Sequence, residues 1–147
     1  MKRRILLVAA LIVLAAMPLL ALPAEDVNAE NLVSILTANG YEAWIDDDGD
    51  VMFKDQYDLK YWIIIDPSSH RMLLQSGWSG GDLTNQRAVQ MMNECNNEFI
   101  MLRCYHRTFS GGLIIEYCFQ YSDAGLDEKA FILAVEGFLD EADTFTD

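Results

Sequence analysis

The chain has 147 residues, 52% hydrophobic and 22% charged, with 10 basic and 23 acidic groups and a formal charge of −13. That length holds one domain with a core of ordinary size. So negative a protein argues against nucleic acid or an anionic lipid surface as a partner unless its few cations gather into a patch.

At the start of the chain Lys2-Arg3-Arg4 are basic, Ile5 to Leu22 hold no charge, and Leu22-Pro23-Ala24 precede the acidic Glu25 and Asp26. This is the layout of a secretory signal. Cleavage is expected after Ala24, with cleavage after Ala21 as the alternative. Left uncut, the 18-residue apolar run 5–22 reaches the lower limit for a membrane span. The expected organisation is a signal over residues 1–24 and a domain over 25–147, periplasmic or secreted, with an uncleaved N-terminal anchor as the alternative and the only membrane contact. Removing Lys2, Arg3 and Arg4 from the ten basic residues leaves seven against 23 acidic ones, a formal charge of −16. Those seven (Lys54, Lys60, Arg71, Arg87, Arg103, Arg107 and Lys129) are dispersed along the sequence.

Asn28 is placed to cap a first helix with Leu32, Ile35 and Leu36 on its apolar face, and Gly40 stands where such a helix ends in a left-handed residue. Short strands follow at Tyr41–Ile45 and Val51–Lys54, joined by an Asp-Gly hairpin turn within Asp46–Asp50. The run Tyr61–Ile65 is apolar on both faces, as in a central strand, and Arg71–Trp78 is the fourth strand. Ala88, Met91, Met92 and Cys95 repeat at i, i+3, i+4 and i+7 and predict a helix over 83–97. The period then shortens to that of a hairpin, Phe99–Thr108 and Leu113–Tyr121, turned at Ser110-Gly111-Gly112. Asp127 caps a last helix bearing Phe131, Val135 and Phe138, with Leu126 and Phe131 spaced as a hydrophobic staple. The order αββββαββα describes a single-domain α+β fold, an antiparallel sheet with helices against it.

Cys95, Cys104 and Cys118 are an odd set, and no pair has the spacing of a zinc knuckle or redox dithiol, so neither a metal nor a cofactor is expected. If Phe109 faces Leu113 across the turn, Cys104 faces Cys118 and His106 faces Glu116. A cross-strand Cys104–Cys118 disulfide then follows, but a one-residue slip abolishes it, Cys95 competes as a partner, and three buried thiols remain open as a third outcome.

The helix preceding GYEAWIDDDGDVMF, the run MMNECNNEFIMLRCYHRTFSGGLIIEYCFQY and the closing amphipathic helix together resemble the YbjN-like family, whose fold is similar to that of type III secretion chaperones. Its most specific part is Asn93-x-x-Asn96 closing the middle helix ahead of a hairpin turned at Gly111. The resemblance implies a curved antiparallel sheet, homodimerisation, and a regulatory or protein-binding role without enzymatic activity. An export signal and cysteines depart from the family's cytoplasmic members.

Three further patterns bear on function. Gly77-Trp78-Ser79-Gly80-Gly81 matches the Gly-x-Ser-x-Gly nucleophile elbow, and a small envelope hydrolase using Ser79 is the alternative to a binding module. Asp46–Asp50 superficially resembles a calcium loop, but Trp44 stands where the first ligand belongs, so a solvated turn is expected. Aromatic residues crowd the strands, and alternation is expected to place Trp62, Trp78, Tyr105, Tyr117 and Phe119 on an interface for a protein partner or a second copy.

Overall fold

The computed structural model describes residues 21–78, 85–98, 102–107 and 112–146. The expected signal through residue 20, Ser79 of the elbow and Gly111 of the family motif lie outside them. The elements are helix α1 (Ala29–Ala38), strands β1 (Glu42–Ile45), β2 (Val51–Lys54), β3 (Lys60–Asp66) and β4 (Arg71–Trp78), helix α2 (Asn85–Glu98), strands β5 (Arg103–Arg107) and β6 (Gly112–Gln120), and helix α3 (Glu128–Thr146). This is the expected order.

Local chemistry sets the boundaries. Asn28 Oδ1 accepts from the Asn31 amide at 2.9 Å to open α1. At its other end Gly40, at φ +92°, lets Tyr41 N–H donate to Leu36 O and Gly40 N–H to Thr37 O, both at 3.1 Å, a Schellman closure. Asp127 Oδ1 takes the Ala130 amide at 2.8 Å and starts α3. Aspartates also hold the hairpin turns: Asp46 Oδ1 accepts from Asp48 and Asp50 amides, and Asp55 Oδ1 from those of Tyr57 and Leu59. Part of the chain's acidity is therefore structural, and Asp46 is engaged as an Asx turn.

All strand pairings are antiparallel, in the order β1-β2-β3-β4-β6-β5. Val51, Phe53, Tyr61, Ile63, Met72, Leu74, Leu113 and Ile115 pack with Leu32, Leu36, Phe131, Val135 and Phe138 of α1 and α3 into one core. Phe53 stacks on Tyr61 at 5.4 Å between centroids, Tyr61 meets Phe138 edge-on at 5.9 Å, and Phe119 meets Phe131 at 6.1 Å. Burial pushes the Tyr61 phenol well above its ordinary range, aided by the hydrogen bond to Asp55.

The hairpin register departs from expectation. Cys104 faces Ile115, His106 faces Leu113 and Arg103 faces Glu116, a three-residue shift from the pairing of Phe109 with Leu113. The connection from Arg107 to Gly112 spans four residues, and an odd shift reverses which residues share a face. Burial of Leu113, Ile115, Tyr117 and Phe119 turns the odd positions of β6 inward, which sends Cys118 outward opposite Leu73 while Cys104 points in. The Cys104–Cys118 disulfide is thereby ruled out in this fold, and all three thiols are free.

A backbone bridge also forms ahead of residue 25. Leu22 N–H donates to Leu126 O at 2.9 Å and Leu126 N–H to Leu22 O at 2.8 Å. Gly125, at φ +115°, makes room for this bridge, since a Cβ there would stand 2.1 Å from Leu22 O.

Candidate functional site

Alternation gives the sheet two unlike faces. Every strand residue of the core cluster belongs to one alternation, so among the described residues the three helices cover a single side. On the other side one row crosses all six strands: Trp44 faces Met52, Met52 faces Trp62, Trp62 faces Gln75, Gln75 faces Glu116, and Glu116 faces Arg103.

The row is a hydrogen-bonded chain over its second half. Trp62 Nε1 donates to Gln75 Oε1, Gln75 Nε2 donates to Glu116 Oε2, and Arg103 forms an ion pair with Glu116 Oε1. Tyr105 Oη lies 3.3 Å from Gln75 Nε2, from which it accepts, and 3.4 Å from Glu116 Oε2, to which it donates. Gln75 and Glu116 are 6% and 5% exposed, on the face opposite the three described helices. Arg103, whose side chain is 70% exposed, keeps donors facing water and lies 5.6 Å above the Tyr105 ring.

Apolar rows flank this one. Ile64 faces Leu73, which faces Cys118, and on the other flank Gly77 faces Ile114, which faces Tyr105. Gly77 leaves room there: a Cβ would fall 2.7 Å from Ile114 Cδ1 and 2.9 Å from Trp62 Cη2, so the indole edge and Ile114 close over bare backbone.

The same alternation collects cations. Lys54, Lys60, Arg71 and Arg103 all stand on this face, with Glu42, Asp66 and Glu116 as its strand acids. Lys54 Nζ lies 3.2 Å from both Glu42 and Asp58, and the hydrogen bonds it donates to these carboxylates raise its pKa. Arg71 pairs with Asp66 at 2.9 Å. Hydrogen bonds from Ser68, Ser69 and Arg71 hold the Asp66 carboxyl at a pKa of about 2. Basic residues scattered in sequence are thus brought together by strand parity, a signal visible only once the register is known.

Of the aromatics expected at an interface, Trp62 and Tyr105 lie on this face. Tyr117 and Phe119 do not: they belong to the inner alternation and pack half-buried against the core, because β6 buries its odd positions. Trp78 ends β4 opposite Leu113, and its side chain lies outside the described residues. Asn96 bonds the edge strand through both ends of its amide, accepting from Cys104 N–H at 2.9 Å and donating to Cys104 O at 3.2 Å, while Asn93 is exposed on α2. Sequence reasoning missed Gln75 and set Glu116 opposite His106 rather than Arg103, because the pairing of polar residues within apolar runs depends on register.

Both histidines lie among the described residues. His70 Nδ1 pairs with Asp123 at 2.9 Å and its ring lies on Tyr121, at the start of β4. His106 faces Leu113 on the inner side.

A six-stranded antiparallel sheet with helices on one side is the α+β architecture of the type III secretion chaperone-like fold. Residues 28–147 match the YbjN family, described as "Putative bacterial sensory transduction regulator", and the chain belongs to that family. The structure is similar to that of YbjN from E. coli, with a TM-score of 0.64 and 11% identity over 79% of this chain and 86% of that one. It is similar to a chain of the ExsC–ExsE complex, with a TM-score of 0.60 and 15% identity over 80% and 89%. An uncharacterized protein from Methanothermobacter thermautotrophicus is also similar, with a TM-score of 0.54 and 12% identity over 80% and 92%. No curated protein matches the sequence.

Proposed function

We propose that this chain is an exported, non-enzymatic protein-interaction module, chaperone-like or regulatory, whose uncovered sheet face docks a partner protein. The observation that carries the reading is the row from Trp44 to Arg103, an aromatic and hydrogen-bonded stripe that none of the described helices covers, on a sheet otherwise packed as a core. Trp, Tyr and Arg are the side chains that concentrate binding energy at interfaces. The ExsC–ExsE complex, a protein assembly containing a chain of similar fold, supports a protein rather than a small molecule as the ligand.

The face also indicates the partner's chemistry. Lys54, Arg71 and Arg103 are ion-paired with Glu42, Asp66 and Glu116 on this face of a strongly acidic domain, so it suits a segment bearing apolar and hydrogen-bonding side chains. Export rests on Lys2–Ala24, whose basic start, apolar run and cleavage region have the composition of a signal.

The test is affinity capture with the tagged chain from its own host, set against an unrelated acidic protein of equal charge. The reading expects a specific, near-stoichiometric protein that is lost when Trp62→Ala and Leu73→Ser are combined. Capture no better than the control, by a chain that stays monomeric at about 100 μM, would contradict it.

A further inference from the structure

Cys95 and Cys104 are buried, 0% and 3% exposed, at the meeting of α2 with the edge strand β5. Both side chains belong to one buried cluster, Cys95 from α2 and Cys104 from the inward face of β5, and each thiol perturbs the ionisation of the other. Asn96, the next residue after Cys95, fixes their backbones: its amide replaces a missing strand partner for Cys104, with contacts of 2.9 and 3.2 Å. The approach of α2 to β5 is therefore set by a two-point polar clamp, and the thiols stand beside it. Cys118, on the opposite sheet face, has no comparable neighbour among the cysteines.

We infer that Cys95 and Cys104 are a disulfide-forming pair, a covalent clasp that closes α2 onto the edge of the sheet under oxidising conditions. The step is thiol–disulfide exchange: one thiol, as thiolate, attacks a disulfide oxidant such as glutathione disulfide, and the second displaces the resulting mixed disulfide. The Cys95–Cys104 S–S bond forms, two thiol protons leave, and two electrons reduce the oxidant to two thiols. Burial raises both thiols, Cys104 to about 12, with Cys95 next to it adding to the effect, and Glu98 and Glu141 further disfavour the Cys95 thiolate. Closure is therefore slow in the folded protein and faster when the end of α2 opens. Once closed, the clasp holds the helix end over the free edge of β5, protecting unpaired strand groups.

This inference uses the export reading only for where the oxidant would be met, so the experiment separates the two. Cleavage after Arg87, Arg103, Arg107 and Lys129 places the three cysteines in different tryptic peptides: 88–103, 104–107 and 108–129. The full chain is recovered from its host without reductant, its free thiols are alkylated in denaturant, and its peptides are mapped by mass without reduction. A second sample is reduced, then equilibrated folded with glutathione and glutathione disulfide before the same mapping.

A peptide pair 88–103/104–107, 2 mass units below the sum of its free thiols, is expected in both samples. Reduction should lower the melting midpoint by about 5–10 °C, in the wild type and in Cys118→Ser but not in Cys95→Ser or Cys104→Ser. The pair in the buffered sample alone supports the clasp and counts against export. Three alkylated thiols in both samples, or a crosslink from either peptide to 108–129 in place of this pair, would overturn the inference.

Discussion

The two faces of the sheet come from the same six strands but use burial differently. On the inner face Phe53, Tyr61, Ile63, Leu74 and Ile115 meet helices α1 and α3 and are almost wholly removed from water. On the outer face Gln75 and Glu116 are equally buried but hold one another, Trp62 and Arg103 by hydrogen bonds. The inner face is stabilised by area and packing, the outer by mutual polar satisfaction, which lets it stay in water and still offer Trp62, Leu73 and Tyr105 to a partner. Changes on the inner side should therefore register in stability, and changes on the outer side in binding.

The largest stability loss is expected from the inner side. Phe131→Ala empties a site that is fully buried against Phe119 and should cost about 3–5 kcal/mol in denaturant unfolding. Next comes the strap that ties the start of the chain to α3. Gly125→Ala drives a Cβ into the Leu22 carbonyl from a left-handed backbone and should cost about 1–3 kcal/mol. A chain starting at Glu25 should lose a comparable amount relative to one starting at Leu22, because both hydrogen bonds to Leu126 go with it. Should the two chains prove equally stable, the domain would begin after the strap.

Gly77→Ala tests the opposite side of the comparison. Its Cβ meets the ends of two side chains, Ile114 and Trp62, which can shift. The expected stability loss is therefore below about 1 kcal/mol, while displacement of the Trp62 indole should weaken partner capture severalfold. An equal loss of both would mean that the outer row is a second core.

The smallest effect is electrostatic, at the rim of the outer face. Asp66 is held at about 2, below the ordinary carboxylate value of 3.8, by Ser68, Ser69 and Arg71. Its contribution is present above pH ~4 and is lost as pH falls through about 2. Asp66→Asn should remove that part of the acid dependence. Urea midpoints of wild type and variant should converge toward pH 2 and separate above pH 4, with the wild type the more stable.

Elements whose signals are local were legible in the chain. Asn28, Gly40 and Asp127 mark helix ends by chemistry acting within a few residues, and the Asp-Gly turn at Asp48-Gly49 marks a hairpin. The candidate site depends on register, which a four-residue connection between Arg107 and Gly112 shifted by three positions. That shift separated Cys104 from Cys118, put Tyr105 and Tyr117 on opposite faces, and replaced the His106–Glu116 pairing with Arg103–Glu116. The Leu22–Leu126 bridge was hidden for a related reason: it joins residues over a hundred positions apart through backbone groups that every sequence possesses.

The most direct test of the docking face uses a photo-crosslinking residue placed in the full chain in its host, at Leu73 on the outer face or at the exposed Leu133 of α3. The account predicts a discrete protein adduct of defined mass from position 73 and none from position 133. No adduct from 73, or the same adduct from both, would contradict it.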